Sequence, residues 1–210
     1  MAPQVLKLTY FNACGRGEVT RLALHYGNIP FIDRRVTFEE FGTSIKSTLP
    51  LGQVPMLDID EGKTTLVQSA AIQSYAARLA GLYPEDSIVM AKVEMVMHTL
   101  EDLFPTLVTL LLTGNLTEEE KEKTIQTYVD MTLPRAFSML EHLIDSSSVF
   151  MMGNEPTLAD LGVFSFIQNG VLPGGSDIIA KAFDPVDYPN LHRVITNVGG
   201  LPSLQSYLNK

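Results

Sequence analysis

The strand-like pattern stops at Gly81. Before that glycine, short apolar runs alternate with segments of helical spacing; beyond it strand signals nearly vanish. Val5–Tyr10 and Phe31–Val36 read as strands. Between them, Val19, Leu22, Ala23 and Tyr26 mark a helix over Gly17–Tyr26, ended by Gly27-Asn28. Phe38–Ser47 is a weaker helical or irregular segment. Val54–Ile59 and Thr64–Val67 are two strands joined by Asp60-Glu61-Gly62-Lys63, and Ser69–Ala80 is a helix that Ser69 can cap. The order βαβ then ββα requires a parallel crossover followed by an antiparallel pair, hence a small mixed sheet with helices packed on it.

After Gly81 the chain reads as helical throughout. Asp86–Leu112 is long and amphipathic, with Pro105 inside it. Thr117-Glu118-Glu119-Glu120 is a capping-box sequence opening a helix that runs to about Ile144. Thr157-Leu158-Ala159-Asp160 is a second such opening, followed by shorter helices at Ser176–Phe183, Tyr188–Val198 and Leu201–Leu208. The expected organisation is an α/β domain over residues 1–81, a linker GLYPE (81–85), and an all-α domain over 86–210. Of the 210 residues 45% are hydrophobic, enough for a sizeable core.

The formal charge of −9 argues against nucleic acid and against an anionic membrane surface as partners, because both call for basic clusters. The first residues carry no leader pattern. The apolar run Leu103–Leu112 is too short to cross a bilayer and is broken by Pro105. Cys14 is the only cysteine, which excludes an internal disulfide and suits a reducing compartment. Asn115-Leu116-Thr117 matches a glycosylation acceptor that has no use without secretion. The expectation is a soluble cytoplasmic protein.

Several residues are candidates for chemistry. Tyr10 stands at the C-terminal end of the first strand, where sheets with βαβ units place ligand sites; it is either a hydroxyl donor or a satisfied buried tyrosine. Cys14 precedes a helix start, whose dipole would favour a thiolate nucleophile, yet no histidine lies close in sequence to act as its base, and the other reading is a small loop residue. Gly15-Arg16-Gly17 fails as a dinucleotide fingerprint because Thr20 stands where the third glycine belongs. Arg16 is a cation at a ligand site or a salt-bridging residue. Val54-Pro55 opens a strand and can be cis, which would turn the Val54 backbone outward. Ser69 would present its hydroxyl and N–H at a helix start, suited to a carboxylate. His98, Glu101 and Asp102 share a helix face at metal-ligand spacing, a pattern that a solvated face also gives.

Together LTYFNACGRGE (8–18), IKSTLPLGQVPML (45–57), LVQSAAIQSYAARLAGL (66–82) and TLADLGVF (157–164) resemble the cytosolic glutathione transferases, above all the sigma class, with its prostaglandin D synthases and S-crystallins. The resemblance implies a thioredoxin-like N-terminal domain, an all-helical C-terminal domain, a homodimer and glutathione as co-substrate. It implies that the Tyr10 hydroxyl stabilises the glutathione thiolate for attack on a small hydrophobic electrophile, with peroxidase or isomerase side activity open. The carried-over contacts are Phe11, Arg16, Phe41, Lys46, Gln53, Val54, Pro55 (the family's cis-proline), Gln68 and Ser69. Asp102 corresponds to an acidic residue reaching the other subunit's site. The chain lacks the tryptophan that the family often has near Phe41. No metal is expected, since His98 replaces an acidic residue of the metal-binding relatives, and Thr106 replaces an aromatic of the prostaglandin synthases. The alternative reading is a non-catalytic, S-crystallin-like scaffold.

Overall fold

The computed structural model describes residues 5–112, 114–169 and 175–209; residues 1–4 and 210, at the ends of the two expected domains, lie outside them. Strands β1 (Leu6–Phe11), β2 (Phe31–Val36), β3 (Met56–Ile59) and β4 (Thr64–Val67) form one sheet in the order β2-β1-β3-β4. β1 pairs parallel with β2, placing Tyr10 beside Arg35, and antiparallel with β3, placing Leu8 beside Leu57. β3 and β4 are antiparallel. As an inner strand, β1 buries residues of both faces, among them Leu6, Leu8, Thr9 and Tyr10.

Helix α1 (Gly15–Tyr26) is the crossover from β1 to β2, and α3 (Ser69–Ala80) follows β4; the two helices pack on each other. The weak segment after β2 is irregular: a short helix α2 (Phe38–Glu40) runs into a π turn at Phe41–Ile45 and a 3-10 turn at Lys46–Thr48. A small core of Val36, Ile45 and Leu49, packed by Phe11, Phe41, Val54 and Met56, holds this segment against the sheet.

The remaining elements are helical: α4 (Ser87–Leu112), α5 (Glu118–Thr127), α6 (Leu133–Leu143), α7 (Leu158–Asn169), α8 (Gly175–Ala180), α9 (Pro189–Gly199) and α10 (Pro202–Leu208). α4, read from the sequence as long and amphipathic, is long and apolar enough to cross a membrane on length and composition alone. Its Val93, Val96, Leu100, Leu103, Leu107 and Leu110 are buried in the core instead. The helix expected from Thr117 to about Ile144 is two helices separated by a π turn at Tyr128–Thr132. Pro134 lacks the N–H that the Asp130 carbonyl would accept, and the widened turn stands just before it. The Thr117–Glu120 capping box is present. At α7, Asp160 accepts from the Thr157 N–H at 2.7 Å, from its hydroxyl at 2.8 Å and from the Met151 N–H at 2.6 Å.

One hydrophobic cluster runs through the whole molecule, from Leu6 and Leu22 through Ile72 and Leu82 to Val93, Leu161 and Leu204. α7 packs on α1 and on α4, and the Leu158 N–H donates to the Leu82 carbonyl at 2.9 Å.

Candidate functional site

The site forms where β1 ends. Helix α1 starts against the Tyr10 ring, an approach that only glycine allows: a Cβ at Gly17 would lie 2.5 Å from the Tyr10 ring and one at Gly15 would lie 2.4 Å from its hydroxyl. Gly15 also has φ +45°, a left-handed conformation that side chains resist. The close approach lets the Arg16 N–H donate to the Tyr10 hydroxyl at 2.9 Å. The oxygen is thus an acceptor to the backbone, and its own proton remains for another partner. Burial pushes the phenol above the usual tyrosine range, against the Arg16 N–H and the positive charges of Arg16 and Arg21. It therefore stays protonated, and a donor, at neutral pH.

In front of this pair lies a cleft of about 450 Å³ lined by Phe11, Arg16, Phe41, Leu51, Gln53, Val54, Pro55, Val67, Gln68, Ser69 and Glu101. Phe11 stacks on Phe38 at 4.4 Å between centroids and meets the Phe41 edge at 5.1 Å, which fixes one wall. The Val54-Pro55 bond is cis. Arg16 donates from Nε and Nη2 to Glu101 Oε1, both at 2.7 Å, and its guanidinium lies 4.9 Å from the Phe104 ring centre. Both readings of Arg16 hold together: it is ion-paired and it lines the cleft.

At the opposite wall α3 begins. Ser69 is the first helical residue rather than the cap; Gln68 occupies that position, with φ +73° and no side-chain cap bond. The reason is the left-handed turn at Gln68, which advances the helix start by one residue. Among the described residues the Ser69 hydroxyl has no hydrogen-bond partner, and with the first-turn N–H groups it faces the cleft at the positive end of a twelve-residue helix. Such an end suits a carboxylate. A non-glycine residue at positive φ beside a cleft is a further mark of a binding site.

Two profiles match the chain: "Glutathione S-transferase, N-terminal domain" over residues 6–78 and "Glutathione S-transferase, C-terminal domain" over residues 94–210. The chain belongs to the glutathione S-transferase family. The transferase is 28% identical to a glutathione S-transferase of Anopheles gambiae over 97% of this chain and 95% of that one. It is 26% identical to S-crystallin 2 of Enteroctopus dofleini over the same shares. A solved prostaglandin synthase D of Nilaparvata lugens superposes with a TM-score of 0.83 at 27% identity, covering 98% of each chain. The enzyme class read from the sequence, glutathione S-transferase, and the two-part fold both stand. Enzymes of this family take glutathione as co-substrate.

Of the eleven residues expected at the transferase's site, the cleft gathers eight: Phe11, Arg16, Phe41, Gln53, Val54, Pro55, Gln68 and Ser69. Tyr10, 6% exposed, is not itself part of the lining; it touches the lining residues Phe11, ring to ring, and Arg16, through the backbone hydrogen bond. Lys46 lies outside the lining, its chain beside Gly52, and Asp102 is exposed on α4 and is not part of the lining either. The sequence reading missed Glu101 as a cleft residue, having grouped it with His98 and Asp102; nothing local in the sequence marks its pairing with Arg16, 85 residues away. It also missed Arg21, which is buried on α1 together with Val19, Leu22 and Ala23.

Cys14 suits the reading of a small loop residue better than that of a nucleophile. The helix start does not favour its thiolate: burial and the Glu18 carboxylate push the thiol up to about 11. It faces a separate hollow of about 550 Å³ beside His25, Asp33 and Tyr207, not the cleft.

Proposed function

We propose that this transferase binds glutathione in the cleft beside Tyr10 and conjugates its sulfur to electrophilic carbon on small apolar substrates. The observation that carries the reading is the Tyr10 hydroxyl, buried, protonated, and bonded as acceptor to the Arg16 N–H at 2.9 Å. The residues fit the tripeptide. The open N-terminus of α3 at Ser69, with Gln68, takes the γ-glutamyl carboxylate. The Val54 backbone, turned out by the cis bond to Pro55, pairs with the cysteinyl unit. Gln53, Phe41 and Lys46 border the remaining part, and the free amine suits Asp102 of a partner copy in a homodimer.

Tyr10 donates its proton to the sulfur and so favours the thiolate. A free thiol has a pKa near 8.5, and a fall of about two units, roughly 2.7 kcal/mol, would leave most of it ionised at neutral pH. Arg16 adds positive potential, partly offset by Glu101. A second cavity of about 340 Å³, lined by Leu100, Phe104 and Phe166 among others, shares Gln68, Ser69 and Glu101 with the cleft and offers apolar surface between the sheet and the helices. No metal enters this chemistry, and detoxification in the cytoplasm is the setting it suits.

The test is turnover of an aryl halide together with ultraviolet titration of the bound thiol. Tyr10→Phe should lower the rate at pH 6.5 about a hundredfold while the KM for glutathione changes less than about threefold. Undiminished turnover in that variant would remove Tyr10 from the reaction. Absence of turnover on aryl halides, isothiocyanates and hydroperoxides by the unaltered protein would favour the scaffold role of an S-crystallin.

A further inference from the structure

We propose that Arg21, buried beneath the loop between β1 and α1, is a positioning residue that sets the Tyr10 hydroxyl for thiol activation, and that Tyr207 couples the C-terminal helix α10 to that task. This rests on the reading of Tyr10 given above.

The loop has no regular structure of its own, so its backbone groups need partners. Arg21, 0% exposed, supplies them. Its Nη1 donates to the Ala13 carbonyl at 2.7 Å and its Nη2 to the Phe11 carbonyl at 3.0 Å. Between those two residues, Asn12 is held by its own N–H, which donates to the Val36 carbonyl at 3.1 Å, and by Arg35 Nη1, which donates to its side chain at 3.2 Å. Every residue from Tyr10 to the start of α1 except Cys14 thus has a fixed backbone or side-chain anchor. The same guanidinium lies 5.6 Å from the centre of the Tyr10 ring.

The anchor is itself held from three elements. Arg21 Nε donates to both oxygens of Asp33 on β2 at 3.1 Å, and Nη1 donates to Glu18 on α1 at 3.2 Å. From α10, Tyr207 donates to Glu18 Oε1 at 2.9 Å and accepts from Arg35 Nη2 at 3.2 Å. A buried charge network is a poor way to obtain stability alone, since packed apolar side chains of similar volume do as well. What apolar side chains cannot do is hold two loop carbonyls in a fixed direction. The loop so fixed leads straight into the first turn of α1, whose Arg16 N–H orients the Tyr10 oxygen, and misplacing a catalytic group by about 1 Å can cost on the order of a hundredfold in rate.

The experiment follows the pKa of the bound glutathione thiol and the pH profile of turnover in Arg21→Lys, Asp33→Asn and Tyr207→Phe, with thermal midpoints for each. The unaltered protein comes first: if it does not lower the thiol pKa, the Tyr10 reading fails and this inference with it. Given that lowering, Arg21→Lys should raise the thiol pKa by about one unit, a tenfold loss of rate at pH 6.5. The loss should disappear above about pH 9, with the KM for glutathione within twofold. Tyr207→Phe should give the same pattern at two- to threefold. A loss equal at every pH, or an unchanged thiol pKa in folded variants, would overturn the proposal. Should Arg21→Lys fail to fold, an unchanged thiol pKa in both Asp33→Asn and Tyr207→Phe overturns it, and a raised one in either supports it.

Discussion

At the scale of the residue, Cys14 and Gly15 show how adjacent positions answer to different forces. The Cys14 thiol, pushed up to about 11 by burial and by Glu18, should react with iodoacetamide slowly at pH 7.5. Only about 0.03% would be thiolate, against about 9% for an ordinary cysteine, and the greater nucleophilicity of a more basic thiolate recovers part of the difference. The alkylation rate should fall roughly ten- to thirtyfold below that of free cysteine and keep rising tenfold per pH unit beyond pH 9, because the acid form is the one favoured by folding. A plateau below pH 9 would contradict this. Gly15→Ala asks about space. The added methyl meets the Tyr10 hydroxyl at 2.4 Å at a backbone φ of +45°, so the hydroxyl must move. The expected result is at least a tenfold loss of turnover with destabilisation of about 1–3 kcal/mol, measured by kinetics and thermal unfolding. The placement of Tyr10 at a strand end and of Arg16 beside a helix start was legible in the sequence because it is local, set a few residues apart; the close approach at Gly15 was not. Nor was Arg21. Three residues after Glu18 on a helix, it has the spacing of a solvated surface pair, and only the packing of α1 over the end of β1 turns it inward.

At the scale of the element, the helix starts were readable and the helix interiors were not. Thr117 and Thr157 announced α5 and α7 because capping needs a polar side chain at one defined place. The break at Tyr128–Thr132 went unread because its cause stands outside it: Pro134 leaves without a donor a carbonyl that lies four residues earlier. Asp160 is the strongest of these end signals. Its side chain is fully buried and accepts three hydrogen bonds, two from Thr157 and one from Met151, so it joins α7 to the loop before it. Asp160→Ala would leave buried donors unmatched and should cost about 3 kcal/mol or more. Thr117→Ala, at an exposed box, should cost about 1 kcal/mol. Chemical denaturation of the two variants checks the contrast, and equal losses would mean that the Asp160 bonds contribute no more than a surface cap.

At the scale of the molecule, the question is whether the mixed sheet and the helices unfold together. The change of pattern at Gly81 suggested two units, and the cleft is divided between them: Arg16 and Ser69 come from the first, Glu101 from the second. The packing is not divided in that way. Leu82 follows the sheet elements in sequence yet is 1% exposed in the common cluster, and its carbonyl accepts from the first residue of α7. α7 lies against α1 as well as α4, and Arg16 reaches across to Glu101. Separating the two parts would expose this shared apolar surface, at about 25 cal/mol for each Å², with nothing to replace it. Calorimetry should therefore give a single transition whose calorimetric and van 't Hoff enthalpies agree per cooperative unit. Leu82→Ala should lower its midpoint without splitting it, at a cost of about 2–5 kcal/mol. Two resolved transitions, with the helical one unmoved by Leu82→Ala, would mean that the interface is a docking contact between independent domains and that the site assembles only after each has folded.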